Sequence, residues 1–514
     1  MRLLLLLSVL LGGGLHGALV STEKVLFQEN FNLPASLNRW QVIGCQPKFL
    51  PGGAPNGQGN AIRFSLESDG DSKISLPLDP KKISGLISFE GYIRGSNLSG
   101  KALYLGPKFM LTVNDGKKNY YPEPVKGFGS YGWKKVRTFF LIPENCRSLG
   151  LTIGIQGGSG TFEVAQIEIR RAREGSDEEA ARDAVRAETA DMPRGPVVPG
   201  MRTQFRGVMS GDDLSPEAFA ELGSWKVNLI RYQMRPGAKL RKTLTTEEAY
   251  LRWIDSEIAR IDKEILPLAR RYNIKLALDL HYGGRKLTQL LSNELTSDST
   301  NLELLEKTWR KLAAHYRGNE MIYGYDLLNE PKPEDPTKNP WPEMAQHLVE
   351  VIREVDPDTP IIVEWFLTLP FPVSGKNLIY SFHFYSPGEY THNQVSSVHS
   401  ATNWRYPGAI NGLWWDKEQL RNVLRPYLEF QKQHQVRIFI GEFSVVAWAP
   451  GGAQYLQDCV DLFEEYGWDW TYHAFREWSG WSVEHAGKSR KDNRRVGDTD
   501  RKQVLLKAFE KNQK

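Results

Sequence analysis

The pattern of apolar and polar positions changes character near residue 200 of the chain. From about residue 25 to 170, short apolar and β-branched runs are punctuated by Gly, Pro, Asn and Ser. Many short strands joined by turns of this kind are typical of a sandwich or jelly roll. The runs are AIRFSL, LISFEGYI, FMLTV, VRTFFLI, LGLTIGI and TFEVAQIEI. We therefore expect an all-β jelly-roll or sandwich domain in this half.

After Gly200, apolar runs of strand length alternate with amphipathic helical stretches. One of these stretches, SPEAFAEL, carries Ser215 as a predicted N-cap and Pro216 at the first helical position. The eight strand candidates are FRGVMS from Phe205, VNLIRY from Val227, IKLALDL from Ile274, YGYDLL from Tyr323, IIVEW from Ile361, LIYSFHF from Leu378, RIFIGEF from Arg437 and WDWTYHAF from Trp468. Eight strands with intervening helices predict an α/β fold, the (β/α)8 TIM barrel.

Two features bear on the barrel prediction. Only about 13 residues separate the fifth strand candidate from the sixth, so that connection holds a very short helix or none. A doubly wound open sheet is the alternative fold. It is disfavoured because no Gly-rich dinucleotide-binding fingerprint follows any of the strand candidates.

The first residues of the chain are typical of a secretory signal peptide. One Arg precedes an apolar run, Leu3 to Leu11, and small residues follow it. The run is shorter than the ~20 residues that a membrane-spanning helix needs. We expect cleavage near Ala18 to Ser21, and a secreted or periplasmic protein that has no membrane partner after cleavage.

These patterns predict four segments. Residues 1–20 form the signal peptide, and residues 21–170 form the β-sandwich domain. Residues 171–200 are charged and Ala-rich, then rich in Pro and Gly, which is typical of a linker. Residues 201–514 form the barrel domain.

The charge distribution and the cysteine content limit the kinds of partner, metal site and disulfide that the protein can have. The 514 residues carry a formal net charge of +4, with Lys and Arg scattered along the chain rather than clustered. This distribution argues against a nucleic-acid partner. Three cysteines at irregular spacing form no zinc pattern. In an exported protein Cys45 could pair with Cys146, whereas Cys459 is expected to be a buried free thiol.

The candidate chemistry lies where the barrel strands end, because active sites of such barrels lie at the carboxyl ends of the strands. Most strand candidates are apolar at first and carry an ionisable or polar residue near or just after their carboxyl end. A single strand leaving the core could do so by chance. Its repetition on five or six strands predicts an active site at the mouth of the barrel.

Two carboxylates, Glu330 and Glu442, end the fourth and seventh strand candidates. Hydrolysis of a glycosidic bond needs such a pair, since one group protonates the leaving oxygen and the other attacks the anomeric carbon or activates water. Carboxyl groups ~5–5.5 Å apart give retention of configuration, and groups ~6.5–9.5 Å apart give inversion. The sequence leaves this separation open.

Other polar residues at the strand ends could support this pair of carboxylates or bind the sugar. Asn329 could hydrogen-bond the sugar hydroxyl beside the anomeric carbon. Tyr385 could hold the nucleophilic carboxylate, and Arg231 could keep it ionised by charge pairing. His281 and His383 could bind sugar hydroxyls or tune the acid. We expect no metal, because no two histidines fall at ligand spacing, and no other cofactor.

These motifs resemble glycoside hydrolase family 5, the cellulase family, from about Thr203 to the C-terminus. The residues that carry the resemblance lie in LLNEP, IFIGEF, LIRY, LDLHYGG, HFY and FREWSGW. The resemblance implies a retaining glycosidase with Glu330 as acid/base and Glu442 as nucleophile. It implies supporting roles for Arg231, His281, Asn329, His383, Tyr385 and Trp478. The first domain is similar in pattern to the β-sandwich carbohydrate-binding modules that accompany such enzymes.

Two stretches depart from the family pattern. The first strand reads FRGVMSGDD, where many members have an asparagine after the glycine. A third carboxylate, Glu477, precedes the tryptophan of the last strand. We expect Glu477 to form an ion pair with Arg476 or another basic residue.

The aromatic content points to a polysaccharide as the partner. We expect the enzyme to be a monomer. Flat rings suit the apolar faces of β-1,4-linked sugars, and Trp478 could stack under a sugar ring. Further candidate subsite residues are Trp365, Trp404, Trp414, Trp415, Trp448 and Trp481. We expect an endo-β-1,4-glucanase. A β-mannanase, a xyloglucanase, a β-1,3-glucanase and a catalytically silent polysaccharide-binding protein are the alternatives.

Overall fold

The computed structural model describes residues 19–32, 34–57, 59–100, 105–124, 129–175, 178–210, 214–282, 294–295, 299–333, 340–366, 370–395, 403–410 and 412–512. The predicted signal peptide lies almost entirely outside these residues. The chain forms two compact units. One comprises Met1–Met192 with Thr402–Glu429, and the other comprises Pro193–Ala401 with Phe430–Lys514.

The first unit contains one connected network of nine antiparallel strands, which confirms the predicted all-β region. The strands are Leu19–Glu29, Gln41–Gly44, Lys48–Leu50, Ala61–Leu78, Gly85–Leu98, Gly106–Asn114, Asn119–Tyr120, Gly129–Ile142 and Ser148–Gly175. The last of them is the organising strand. Its first half pairs with Gly106–Asn114 and its second half with Gly85–Leu98, while Ala61–Leu78 follows much of its length.

The sequence period of that long strand explains its burial. Leu149, Leu151, Ile153 and Ile155 occupy every second position, and all four are buried in the apolar core of this unit. Alternate side chains of a strand point to opposite faces, so this spacing places one whole face in the core. Fully burying a side chain of this size stabilises the fold by about 1.5–3 kcal/mol.

All three cysteines are free thiols. The suggested pairing of Cys45 with Cys146 is wrong for this structure. Cys45 is exposed, whereas Cys146 is partly buried and its Sγ donates to the carbonyl oxygen of Ser148 at 3.3 Å. Cys459 is buried in the other unit, as expected for an apolar helical position.

The second unit contains a closed barrel of eight parallel strands, which confirms the predicted fold. Barrel strands 1 to 8, in chain order, are Arg206–Ser210, Leu229–Met234, Lys275–Leu280, Ile322–Asp326, Ile361–Glu364, Leu378–Phe384, Arg437–Phe443 and Asp469–His473. Each strand begins within two residues of its predicted start. The strands are buried along almost their whole length, as near-continuous apolar runs in a covered parallel sheet should be.

Helices separate most of the barrel strands. The helices that lie wholly or partly in this unit are Pro216–Ser224, Ala238–Arg241, Glu247–Arg260, Leu266–Tyr272, Ser299–Tyr316, Trp341–Val355, Gly388–Thr391, Arg425–His434, Gly452–Tyr466 and Asp500–Phe509. The side chain of Ser215 accepts from the backbone nitrogen of Ala218, as its predicted N-cap role requires. Between strands 5 and 6 the described residues hold no helix, in agreement with the short connection.

Smaller elements complete the described chain. A π-helical turn, Ile261–Ile265, joins two of the barrel helices. Helix Glu178–Glu188 lies in the stretch predicted as a linker, and helix Lys417–Val423 lies in the segment that belongs to the first unit. The 3-10 helices are Pro34–Arg39 and Pro55–Gly57, and the two-stranded pairs are Glu294–Leu295 with Lys332–Pro333, Gly408–Ile410 with Leu413–Trp415, and His485–Ala486 with Arg494–Arg495. Among the described residues, no helix has the length and hydropathy to cross a membrane.

Candidate active site

The carboxyl ends of six barrel strands bring ionisable side chains into one hydrogen-bonded cluster. Arg231 comes from strand 2, Asp279 from strand 3, and Asp326 with the residues that follow it from strand 4. Glu364, His383 and Glu442 come from strands 5, 6 and 7. Parallel strands of a closed barrel end at the same face, so residues far apart in sequence meet here.

Arg231 is the centre of this cluster and is fully buried. Its Nε donates to Asp326 Oδ2 at 2.7 Å. Its Nη1 donates to Asn329 Oδ1 at 3.1 Å and to Glu442 Oε1 at 2.9 Å. Its Nη2 lies 3.2 Å from Asp279 Oδ1 and 3.6 Å from Glu364 Oε2. One guanidinium thus faces four carboxyl groups and cannot neutralise all of them.

Glu442 is held on both of its oxygens. Oε1 accepts from Arg231, and Oε2 accepts from Tyr385 Oη at 2.8 Å. His473 Nδ1 lies 3.3 Å from the same Oε2. Burial opposes ionisation, but His383, His473 and Arg231 together outweigh it and lower the pKa of Glu442. This carboxylate is therefore fixed in orientation and ionised at neutral pH.

The surroundings of Glu330 shift its pKa in the opposite direction to that of Glu442. Burial is the largest influence and raises its pKa above the ordinary value for a glutamate. About 31% of its side chain is nevertheless exposed, so the carboxyl group is accessible from the mouth of the barrel. The residue has φ 46°, in the left-handed region, and its backbone N–H donates to Glu364 Oε2 at 3.0 Å. Glu330 is thus suited to hold a proton at a pH where Glu442 has lost its own.

The two carboxylates are close to each other. An oxygen of Glu330, an oxygen of Glu442 and a ring nitrogen of His383 all lie within 4.8 Å of one another. His383 Nδ1 is 2.9 Å from Glu330 Oε1 and 3.6 Å from Glu442 Oε2. Burial lowers the pKa of His383 to about 3, so the ring between the carboxyl groups is neutral at neutral pH.

The same three groups are the set among the described residues that could ligate a metal ion. The local charges do not favour a cation there. Arg231 already donates to Glu442, and nearby His473 has a pKa raised to about 9 because, against the effect of burial, Glu442 and Glu477 stabilise its charged form. A metal ion would have to share the Glu442 carboxylate with both cations.

His281 and Trp478, the remaining supporting residues of the prediction, lie in the same unit with different surroundings. His281 Nδ1 is 2.8 Å from Asp279 Oδ2, so it joins the cluster through a residue that also faces Arg231. Trp478 is half-buried and packs edge-on against Trp448 and Trp481, with ring centroids at 6.0 and 5.4 Å.

Glu477 forms ion pairs with basic residues other than Arg476. Its Oε1 accepts from Arg235 Nη1 at 2.8 Å, and its Oε2 lies 2.9 Å from His473 Nε2. Arg476 instead pairs with Glu484 and Glu221. Burial opposes ionisation of Glu477, but His473 and Arg235 hold its pKa well below the usual range.

The candidate subsite tryptophans differ in how exposed and how tightly packed their rings are. Trp365 is buried and stacked on Tyr380 at 4.8 Å with Phe430 against its edge, so its face is not free for a sugar. Trp448 and Trp481 are almost fully buried beside Trp478. Trp404, Trp414 and Trp415 belong to the first unit. There Trp414, predicted as a candidate subsite residue, is buried and packs with Leu19 and Val185.

Sequence reasoning missed Asp326 and Glu364 of the cluster, and His473 beside it. Glu364 ends strand 5 in IIVEW, in the same way that other strands end in polar residues. Strand 8 ends at His473, two positions before the predicted end at Phe475. An ionisable residue within two positions of each predicted strand end would have marked all three.

Comparison with known proteins places this barrel in a family. The profile of the cellulase family, glycosyl hydrolase family 5, matches residues 190–480. Endoglucanase C of Acetivibrio thermocellus is 28% identical over 248 residues, which cover 40% of this chain and 70% of that protein. Endoglucanase 3 of Fibrobacter succinogenes is 27% identical over 177 residues, which cover 31% of this chain and 26% of that protein.

The matches to solved structures cover a larger share of the chain. The endoglucanase Cel5A of Thermotoga maritima is 19% identical with a TM-score of 0.46, and the match covers 60% of this chain and 97% of that one. The cellulose synthase subunit Z of Clostridioides difficile is 20% identical with the same TM-score, covering 60% and 99%. With the family profile spanning more than half of its length, the chain belongs to the cellulase family, glycosyl hydrolase family 5, and is a glycosyl hydrolase.

Proposed function

We propose that this protein is a retaining glycosidase in which Glu330 is the acid/base and Glu442 is the nucleophile. The observation that carries the proposal is the separation of the two carboxylates, whose oxygens approach within 4.8 Å of each other. A carboxyl separation of ~5–5.5 Å leaves no room for a water molecule between the sugar and the base, and so favours direct attack. The opposite pKa shifts of the two groups support the division of roles.

The proposed reaction has two steps. In the first, Glu442 forms a bond to the anomeric carbon while Glu330 gives its proton to the departing glycosidic oxygen. In the second, Glu330 takes a proton from water, whose oxygen attacks the anomeric carbon and releases Glu442. Arg231 and Tyr385 keep the Glu442 carboxylate oriented for attack through bonds of 2.9 and 2.8 Å.

We propose a β-1,4-glucan as the substrate, cut at internal bonds. The curated relatives carry the name endoglucanase, which supports this choice. The half-buried Trp478, which packs edge-on with Trp448 and Trp481 and has the Arg490 guanidinium 5.7 Å from its ring centroid, offers the most accessible tryptophan surface among the candidates in the unit that contains the carboxylate pair. A sugar ring stacks well on such a surface.

The remaining parts of the proposal concern the rest of the chain. The apolar N-terminal run supports a signal peptide over residues 1–20 and a secreted or periplasmic location. The proposed boundaries are 21–170 for a carbohydrate-binding-module-like sandwich, 171–200 for a linker and 201–514 for the catalytic barrel. The enzyme is proposed to act as a monomer.

The test uses the full-length chain on carboxymethyl-cellulose, mannan, xyloglucan, lichenan and laminarin. We expect reducing-sugar release from carboxymethyl-cellulose and lichenan by the wild type, and none by Glu442→Ala. Proton NMR of the first product should show the β-anomer, the configuration of the substrate. Equal activity of Glu442→Ala, or an initial α-anomer, would refute the mechanism. Release from mannan alone would refute the glucan assignment but not the mechanism.

A further inference from the structure

His473, at the end of barrel strand 8, has no role in the reaction described above, yet it contacts the residues that carry it. Its Nδ1 is 2.6 Å from Tyr385 Oη and 3.3 Å from Glu442 Oε2. Its Nε2 is 2.9 Å from Glu477 Oε2. The side chain is 14% exposed, and its ring packs against Trp481 at 5.8 Å. His473 thus links Glu477 to the carboxylate proposed as the nucleophile.

The hydrogen-bond pattern fixes the protonation state of this imidazole. Glu477 presents a carboxylate oxygen, which only accepts, so Nε2 of His473 must carry a hydrogen. Tyr385 uses its own hydrogen to donate to Glu442 Oε2, so its oxygen accepts from Nδ1 of His473. Both ring nitrogens therefore donate, and the ring is an imidazolium.

Glu477 is itself fixed by the end of barrel strand 2. Arg235 Nη1 donates to its Oε1 at 2.8 Å, and Gln233 Nε2 donates to its Oε2 at 3.0 Å. The carboxylate is therefore held in place by two donors in addition to His473. A chain of contacts runs from Glu477 through His473 and Tyr385 to Glu442.

We propose that His473 is a positioning residue whose imidazolium, anchored by Glu477, orients Tyr385 and keeps Glu442 ionised as the nucleophile. This inference rests on the proposed role of Glu442. It assigns a second cation to that carboxylate in addition to Arg231. It also assigns Glu477 the task of holding the imidazolium in place.

The charge of His473 depends on every ionisable group that faces it. Glu442 and Glu477 favour the charged ring, and Glu330 adds to them when it is ionised, whereas burial opposes the charge. The net effect is a pKa of His473 raised to about 9. The ionisable groups that face His473 or its two hydrogen-bond partners include Glu330, Glu442, Glu477, Tyr385, His281, His383, His392, Arg231 and Arg235.

The first experiment measures the charge directly and does not need activity. In the full-length protein with isotopically labelled histidine, ring signals are followed through a pH titration and assigned with His473→Asn. We expect the His473 ring to stay doubly protonated up to about pH 9 and to lose its proton at lower pH in Glu477→Gln. A His473 ring that is neutral at pH 7 in the wild type would overturn the proposal.

The second experiment measures the consequence for the reaction. Removing the cation with His473→Asn should raise the pKa of Glu442, so the acidic limb of kcat/KM should move to higher pH by about one unit. Glu477→Gln should move it in the same direction by a smaller amount. Asp262→Asn is the matched control, since it removes a partner 2.7 Å from the exposed His315, and it should leave the limb unchanged.

Thermal unfolding of each variant shows whether the fold is retained. An unmoved acidic limb in folded His473→Asn would overturn the inference even though the enzyme remains active. Wild-type activity in Glu442→Ala would instead refute the nucleophile and with it the proposed function. The two failures are therefore distinguishable, and the NMR titration decides the charge of His473 in either case.

Discussion

Replacing Glu364 by glutamine tests whether this buried carboxyl is protonated. Glu364 is fully buried at the end of strand 5, and its Oε2 accepts from the backbone N–H of Glu330 at 3.0 Å. Burial is the main cause that raises its pKa well above the ordinary 4.5. Arg231 opposes this shift without cancelling it, since it is shared with three other carboxyl groups. A neutral carboxyl and an amide are nearly isosteric, and the amide oxygen can still accept from Glu330.

The magnitude follows from linkage between protonation and folding. A carboxyl with a raised pKa binds its proton more tightly in the folded state than in the unfolded state. The free energy of unfolding of the wild type therefore falls as pH rises from about 4.5 to the raised pKa, by about 1.4 kcal/mol per pH unit from this group alone. Glutamine does not titrate, so Glu364→Gln lacks this loss and should become the more stable protein as pH rises.

Glu364→Ala provides the contrast. It leaves the buried N–H of Glu330 without its acceptor, which costs about 1–3 kcal/mol, and it opens a cavity of side-chain size. We expect Glu364→Ala to be destabilised at every pH. It should also lose turnover, because the backbone of Glu330 is no longer held.

Differential scanning calorimetry between pH 5 and pH 8 is the assay. The Tm of Glu364→Gln minus that of the wild type should grow with pH, while Glu364→Ala stays below both. If Glu364 were ionised in the folded protein, glutamine would break a buried ion pair with Arg231, at a cost of about 3–5 kcal/mol. A large loss of Tm in Glu364→Gln at pH 8 would refute the reasoning.

Three further outcomes are expected. Glu330→Gln should lose about 10²–10⁴-fold in kcat/KM on polymer, with a much smaller loss in kcat/KM, which reports the first step, on an aryl glycoside whose leaving group needs no proton; equal losses in kcat/KM would contradict the acid role. Tyr385→Phe should lower kcat about tenfold, since one hydrogen bond to Glu442 is worth about 1–1.5 kcal/mol; an unchanged kcat would contradict it. In unfolding and saturation assays, Trp365→Ala should lose about 3–5 kcal/mol of stability, whereas Trp478→Ala should raise KM with a smaller loss of stability because its ring is only half-buried; the reverse pattern would contradict both placements.

The barrel could be predicted from the sequence because its strands are buried on both faces. A continuous apolar run such as RIFIGEF therefore marks a strand and its polar end at once. The burial of Glu442 and Glu330 in one cluster follows from that regularity. Their separation does not, because it depends on side-chain directions and on the left-handed backbone at Glu330.

The aromatic residues were predicted less well for a physical reason. A tryptophan that packs in a core and one that stacks on a sugar have the same local sequence signature. Trp414 lies between strands 6 and 7 in the chain, yet it packs in the first unit against Leu19 and Val185. Contacts of that sequence separation leave no local pattern. The role of His473 was hidden in the same way, since its partners Tyr385 and Glu442 lie on other strands.

The most direct test of the retaining mechanism is to trap its covalent intermediate. A 2-deoxy-2-fluoro β-cellobioside with a good leaving group should slow the release of the glycosyl-enzyme more than its formation. Intact-mass measurement should then show one added glycosyl group, and peptide mapping should place it on Glu442. A label on Glu330 or Glu477, or turnover with no covalent adduct and an inverted product, would contradict the mechanism.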